Sequence, residues 1–252
     1  RELENARNSL LSLIARPETH ELIFTSCGSE SDNQALFSAG RRGNVVISEG
    51  EHAAVHNAAV ELARRGIEVR HARLNANGSV NTEDLLRLVD KNTSLVSVIH
   101  VNNETGAVND IDKIAEQVKS VKASAVFHSD GVQAFGKLDY RLGKNIDLYS
   151  VSAHKIGGIR GIAALIRKKT TALHPFVFGG GQEKGLRSGT ENVFGIKQFE
   201  LAAQNKYARL KETYAKMEKL ATYVKENLDK NRFCILSEGE CSPYIVSVSA
   251  RG

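Results

Sequence analysis

The chain has 252 residues, 41% hydrophobic and 25% charged, the make-up of a globular chain with one large core and an appendage. No apolar run approaches the roughly 20 residues of a membrane helix, and the longest, such as Ser94 to Val101, are strand-sized, which excludes a membrane protein. The formal charge of +5 raises an acidic or nucleic-acid partner, but basic and acidic residues mix along Leu210 to Lys230, so a solvated face explains it and no nucleic acid is expected.

The predicted elements begin with an amphipathic helix over Arg1 to Ala15, with Leu3, Leu10, Leu11 and Ile14 on one side, read as core-packing rather than as a transit peptide. Strand-like runs follow at Glu21–Ser26, Val45–Ser48, Glu68–Leu74, Leu95–Val101, Ala125–Ser129, Leu148–Ser152 and Ile162–Ile166. Helical spacing lies between them at Ser31–Ala39, His52–Arg65, Thr82–Val89 and Asp110–Val121. This alternation predicts an α/β fold, a mainly parallel sheet flanked by helices, with functional residues at strand ends.

From Asn192 the pattern changes to one long helical stretch, roughly Phe194 to Leu228, then strands at Phe233–Leu236 and Tyr244–Ser249. A major domain over residues 1–192 and the start of a smaller α+β domain over 193–252 are expected. The chain opens on Arg1 rather than Met, and its last strand stops at Arg251-Gly252 without a closing element, so both ends are expected to be incomplete.

Cys27, Cys234 and Cys241 are too few and too scattered for a disulfide framework, and no Cys/His pair has zinc-site spacing. No metal is expected, and the expected compartment is reducing, the cytoplasm or an organellar matrix.

The most informative segment is the strand Leu148–Ser152 running into His154, Lys155 and glycines. In an open α/β sheet ligands sit outside the carboxyl ends of strands. Lys155 is therefore either a solvated surface lysine or the Schiff-base lysine of a pyridoxal-phosphate enzyme, which needs an amine at one partly desolvated position. A second strand ends in Asp130, read either as a helix cap after the strand or as the carboxylate that keeps a pyridinium nitrogen protonated. A third strand feeds Cys27-Gly28-Ser29-Glu30-Ser31 and a helix, either an ordinary capping box or a phosphate site of backbone N–H groups and the Ser29 hydroxyl.

The blocks Phe24-Thr-Ser-Cys-Gly-Ser-Glu-Ser-Asp-Asn33, Glu51-His52, His100-Val-Asn-Asn103-Glu-Thr-Gly, Phe127-His-Ser-Asp130, Ser152-Ala-His-Lys155 and Gly179-Gly-Gly-Gln-Glu-Lys-Gly-Leu-Arg-Ser-Gly-Thr190 occur in this order. Together they resemble the cysteine desulfurase family, the NifS/IscS-type branch of the class V, fold type I pyridoxal-phosphate enzymes. The resemblance implies a seven-stranded-type sheet in the cofactor-binding major domain. It also implies that Lys155 holds the cofactor, Asp130 pairs with its ring nitrogen, Gln133 donates to its ring hydroxyl oxygen and His52 stacks on the ring. Gly28, Ser29, Ser152 and His154 would surround the phosphate, Asn103 would lie near cofactor and substrate, and Thr190 would reach the phosphate of the neighbouring subunit of a homodimer. His100 and His128, inside strands, read as packed core histidines.

The implied activity is conversion of L-cysteine to L-alanine, with the sulfur passed as a persulfide to a sulfur-acceptor or iron-sulfur scaffold protein. Other class V activities, a selenocysteine lyase or a transaminase, and a catalytically silent scaffold are the alternatives. The family's nucleophilic cysteine and its carboxylate-binding arginine are expected beyond Gly252, so none of the three cysteines is taken as the nucleophile. Gly157 and Ile159 stand where the family carries an aromatic residue and a proline, which predicts a looser loop after Lys155.

Overall fold

Short β-branched and aliphatic runs form one seven-stranded sheet in the computed structural model, which describes residues 1–251. The strands are β1 (His20–Thr25), β2 (Asn44–Ser48), β3 (Glu68–Ala72), β4 (Thr93–Ser97), β5 (Val126–Asp130), β6 (Leu148–Ser152) and β7 (Ala163–Lys168), in the order β1-β7-β6-β5-β4-β2-β3. The pairs from β3 to β6 are parallel, and β7 runs against both β1 and β6. The expected mainly parallel sheet is thus present. The hydrogen-bonded ladder also continues past β4, since Val98 and His100 donate from their backbone N–H groups to His128 and Asp130.

Because side chains alternate across a strand, every central strand needs apolar residues on both faces when helices cover both. Val45 and Ile47 of β2 face α2 (Gly28–Ala39) and α3 (Ala53–Arg64), joining Leu36, Val55 and Leu62. Val46 between them joins the opposite core, built from α1 (Glu2–Ile14), α4 (Thr82–Leu88), α5 (Ile111–Val121) and α6 (Val193–Ala208). The first of these helices buries Leu10, Leu11 and Ile14, as its spacing predicts. Among the described residues no helix is long and apolar enough to cross a membrane.

The single long helix expected over Phe194 to Leu228 is two helices, α6 and α7 (Leu210–Asn227), separated at Arg209, whose φ of −118° and ψ of 18° leave the helical region. Packing imposes the break. The first half buries Ile196, Phe199 and Ala203 and lays Tyr207 against Phe135, whereas the second buries only Leu210 and Ala221. The strand expected over Tyr244 to Ser249 is reduced to β9 (Val248–Ala250), because its antiparallel partner β8 (Phe233–Ile235) has only three residues. Tyr244 instead packs edge-on against Tyr214 and under Lys137.

Candidate functional site

Parallel strands bring their carboxyl ends to one edge, and there β5 and β6 end two residues out of step, at Asp130 and Ser152. A cavity of about 350 Å³ opens beside them. Its lining includes Gly28 and Ser29 from the start of α2, His52 from the start of α3, Asn103 from the turn beyond β4, and Asp130 and Gln133 from the end of β5. Ser152, His154 and Lys155 close it from the end of β6. Nine of the ten residues singled out from the sequence thus share one cavity; Thr190 lies outside it, exposed on the glycine-rich loop. A more open cleft of about 920 Å³, lined by Arg42, Lys91 and Lys122 among others, lies at the opposite strand ends and holds none of them.

Lys155 sits in a single 3-10 turn, Ala153–Ile156, directly after β6. Gly157 ends that turn at φ 88°, a conformation side-chain-bearing residues rarely adopt, so the turn itself calls for glycine there. Ser152 Oγ and His154 Nδ1 are 2.9 Å apart. Burial, with Lys155, Arg160 and Lys137 nearby, keeps the His154 imidazole below its ordinary value, which leaves it neutral and able to donate from one ring nitrogen.

Asp130 accepts from Val132 N at 2.9 Å, closing a turn rather than capping the expected helix, since none follows β5, and its carboxyl also faces the cavity. It is 4% exposed, and burial followed by the neighbouring Asp32 carboxyl pushes it up to about 7. Asp32 is itself 1% exposed and pushed up to about 7 by burial, against the opposing pull of the Ser150 hydroxyl, and its Oδ1 has no hydrogen-bond partner. Glu51 accepts from Ser48 Oγ at 2.7 Å and Ile99 N at 2.6 Å, yet burial pushes it up to about 8. His128 Nδ1 lies 2.9 Å from Ser97 Oγ and Nε2 3.0 Å from Ser150 Oγ, while His100 Nδ1 lies 2.8 Å from the Tyr149 hydroxyl. Both rings are buried and pushed down to about 4, so they are neutral core histidines and do not balance the carboxyls.

Asp32 and Asp130 therefore line the cavity with Glu51 buried behind them, and among the described residues no Lys or Arg pairs with any of the three. One donor atom from each of Asp32, His52 and Asp130 lies within 4.8 Å of the others. Buried carboxyls in such a setting demand a positive partner, which a protonated ring nitrogen against Asp130 would supply. The residues present fit pyridoxal phosphate on this ground.

His52 caps α3 through Nδ1, which accepts from Ala54 N at 3.1 Å. A neutral ring in that role carries its proton on Nε2. Gln133 Oε1 accepts from Lys137 Nζ at 2.5 Å; an ammonium only donates, so the amide N–H₂ group of Gln133 is turned away from it and free for another acceptor. Gly28 is closely packed: a Cβ there would stand 3.1 Å from Val132 Cγ2, which would have to give by a few tenths of an ångström. The N–H groups of Gly28 and Ser29, in the first turn of α2, have no intrahelical acceptor, which suits them to an anion.

Sequence reasoning gave no role of their own to Asp32, Glu51 and Cys27, though it quoted all three within its blocks, and did not single out Ile99 or Val132 at the cavity. Asp32 was within reach of the helical period, being three and four residues beyond Ser29 and Gly28 on the same face of α2.

The family model described as aminotransferase class-V matches residues 1–252. A cysteine desulfurase of Bradyrhizobium diazoefficiens is 35% identical over 239 residues, covering 93% of this chain and 60% of that protein. The chain therefore spans about three fifths of that relative's length. A solved NifS-like protein superposes with a TM-score of 0.93 at 33% identity, covering 99% of this chain and 70% of the other. SspA, solved in complex with cysteine, superposes with a TM-score of 0.86 at 28% identity over 99% of this chain and 72% of its own.

Proposed function

We propose, from the premise that the chain belongs to the aminotransferase class-V family, whose members use pyridoxal phosphate, that it is the cofactor-binding part of an L-cysteine desulfurase. The observation that carries this reading is the meeting of Lys155 and Asp130 in one cavity, at the ends of adjacent strands, over an excess of buried carboxyl. The relatives named cysteine desulfurase, and the one solved with cysteine bound, favour that substrate over other amino acids.

Bound pyridoxal phosphate supplies an electron sink conjugated to the substrate's α-carbon. The chain's own residues do the rest. Lys155 presents the amine that holds the cofactor and then moves the proton at the substrate α-carbon. Asp130 would hold the ring nitrogen and keep it protonated. Gln133, its amide oxygen engaged by Lys137, would donate from its N–H₂ group to the ring hydroxyl oxygen. His52, capping α3 through Nδ1, would stack on the ring and offer Nε2–H as a proton donor. Gly28, Ser29, Ser152 and His154 bind the phosphate, and Asn103 borders the substrate. A thiolate then attacks the substrate sulfur: the S–S bond forms, the C–S bond breaks with its electron pair left on carbon, and carbon takes up a proton to give alanine. The persulfide passes to a sulfur-acceptor or iron-sulfur scaffold protein. A second copy of the chain places Thr190 at its partner's phosphate site.

The test is incubation of the purified full-length protein with pyridoxal phosphate, L-cysteine and a reductant, reading alanine and sulfide together. Equal yields of both support the reading, and cofactor-loaded protein that converts other amino acids to keto acids but releases no sulfide contradicts it.

A further inference from the structure

Glu30 stands in the first turn of α2, one residue after Ser29, where the helix start attracts anions. Its carboxylate is turned away from the cavity and fully engaged. Ser26 N donates to Oε2 at 2.9 Å, and the Ser26 hydroxyl donates to the same oxygen. Arg187, from the glycine-rich loop, grips both oxygens, Nε to Oε1 at 2.7 Å and Nη2 to Oε2 at 3.2 Å. The two side chains are 21% and 11% exposed. Burial raises the Glu30 carboxyl, but Arg187 and Ser26 outweigh it and hold the group below the usual carboxylate range, so the pair is ionised.

Two consequences follow for the turn that precedes Ser29. The donors of Ser26 are consumed by Glu30, which leaves the N–H groups of Gly28 and Ser29 and the Ser29 hydroxyl as the donors facing the cavity. The Glu30 charge, so near a site for a phosphate dianion, would repel it if left bare; the guanidinium cancels it. Arg187 does not line the cavity, and two of its three guanidinium nitrogens are engaged by Glu30.

We propose that Arg187 and Glu30 form a charge-neutral latch that makes this cavity selective for a phosphorylated ligand, acting as positioning residues through the turn at 26–29 and without touching the ligand. The proposal rests on the pyridoxal-phosphate reading. It differs from a merely structural role in what it discriminates: the latch matters for the phosphate and not for the ring.

The experiment is equilibrium binding of pyridoxal phosphate and of pyridoxal, which lacks the phosphate, to the wild-type protein and to Arg187→Met, Glu30→Gln, the double variant and Arg187→Lys. The wild type prefers pyridoxal phosphate. Arg187→Met, leaving Glu30 bare, should lose about tenfold in affinity for pyridoxal phosphate, about 1.4 kcal/mol, with pyridoxal unchanged. The double variant should recover most of that loss, and Arg187→Lys, which keeps the charge, should retain the preference. Equal loss of both ligands in Arg187→Met would make the pair structural and overturn the latch, as would a double variant no better than the single, which would make Arg187 a direct phosphate ligand. A folded wild type that binds neither ligand overturns the cofactor reading and the latch with it.

Discussion

Arg7 and Glu183, 176 residues apart in sequence, form a buried two-pronged ion pair, with Nη1 to Oε2 at 2.6 Å and Nη2 to Oε1 at 2.8 Å. Glu183 also accepts from Phe24 N at 2.9 Å, and the two side chains are 9% and 3% exposed. The pair ties the glycine-rich loop to α1 and β1. Glu183 and Lys184 sit there at φ 49° and 58°, a region that non-glycine residues occupy only when surroundings hold them. Removing one partner leaves the other buried and uncompensated, so Arg7→Met should cost about 3 to 5 kcal/mol in urea unfolding. A loss under about 1 kcal/mol, the range of an exposed pair, would contradict this.

The buried titrating groups set a pH dependence for the cofactor-free protein. Asp32 and Asp130 at about 7 and Glu51 at about 8 keep protons that the unfolded chain releases near pH 4 to 4.5. His100 and His128, at about 4, lack protons that the unfolded chain holds up to about pH 6.5. Below about pH 6.5 the two sets oppose each other. Above it the three carboxyls outweigh Lys137, whose amine at about 8 gives up its proton earlier than in the unfolded chain, so on balance the folded state binds more protons and stability falls as pH rises. The urea midpoint should drop between about pH 6.5 and 8.5, and Asp32→Asn should shrink the drop. A midpoint that climbs over that interval would show that the carboxyls are already ionised in the fold.

Gly131 follows Asp130 and lies flat against Tyr149, where an added Cβ would come within 1.9 Å of the ring. Tyr149 has no room to yield, being fully buried with its hydroxyl on His100. Gly131→Ala should therefore destabilise the fold by about 1 to 3 kcal/mol or more and weaken cofactor retention, because the displaced backbone carries Asp130. Denaturation and dialysis of the loaded protein check both effects; unchanged retention in a folded variant would detach Asp130 from the cofactor.

The three thiols are not placed as a sulfur-accepting nucleophile. Cys234 lies in β8 with Sγ 3.6 Å from Ser249 O, and Cys241, raised by burial, has Sγ 3.2 Å from Glu238 O. Cys27 is exposed and lines the cavity, but it is fixed as the cap residue of α2. Such delivery needs an approach of about 3 to 3.5 Å to the substrate sulfur. In the full-length protein, Cys27→Ser, Cys234→Ser and Cys241→Ser should each leave most cysteine-dependent sulfide release intact. Loss of it in one of them would identify that thiol as the acceptor.

Much of this architecture is legible in the residues because each strand is a short apolar run closed by polar residues, and the parallel arrangement puts those residues on one edge. Asp130, Ser152 and Lys155 are read that way. The reversal of β7 is not legible, since Ala163 to Ile166 presents the same alternation in either direction. The break at Arg209 has no glycine or proline to announce it and arises from the packing of Tyr207 on Phe135. Asp32 and Glu51 escape notice because a carboxylate near a helix start reads as a cap; only the assembled sheet reveals that both are buried beside Asp130.

The most direct test of the central claim is to load the protein with pyridoxal phosphate, reduce the imine with borohydride and locate the resulting secondary amine by peptide mass spectrometry. The account predicts one modified peptide, containing Lys155, and none in Lys155→Ala. The informative competitor is Lys137, whose amine is pushed down to about 8 by burial and by the charges of Lys155 and Lys206 and so is more nucleophilic than an ordinary lysine near neutral pH. A modified peptide containing Lys137, or an adduct that persists in Lys155→Ala, would contradict the assignment of Lys155.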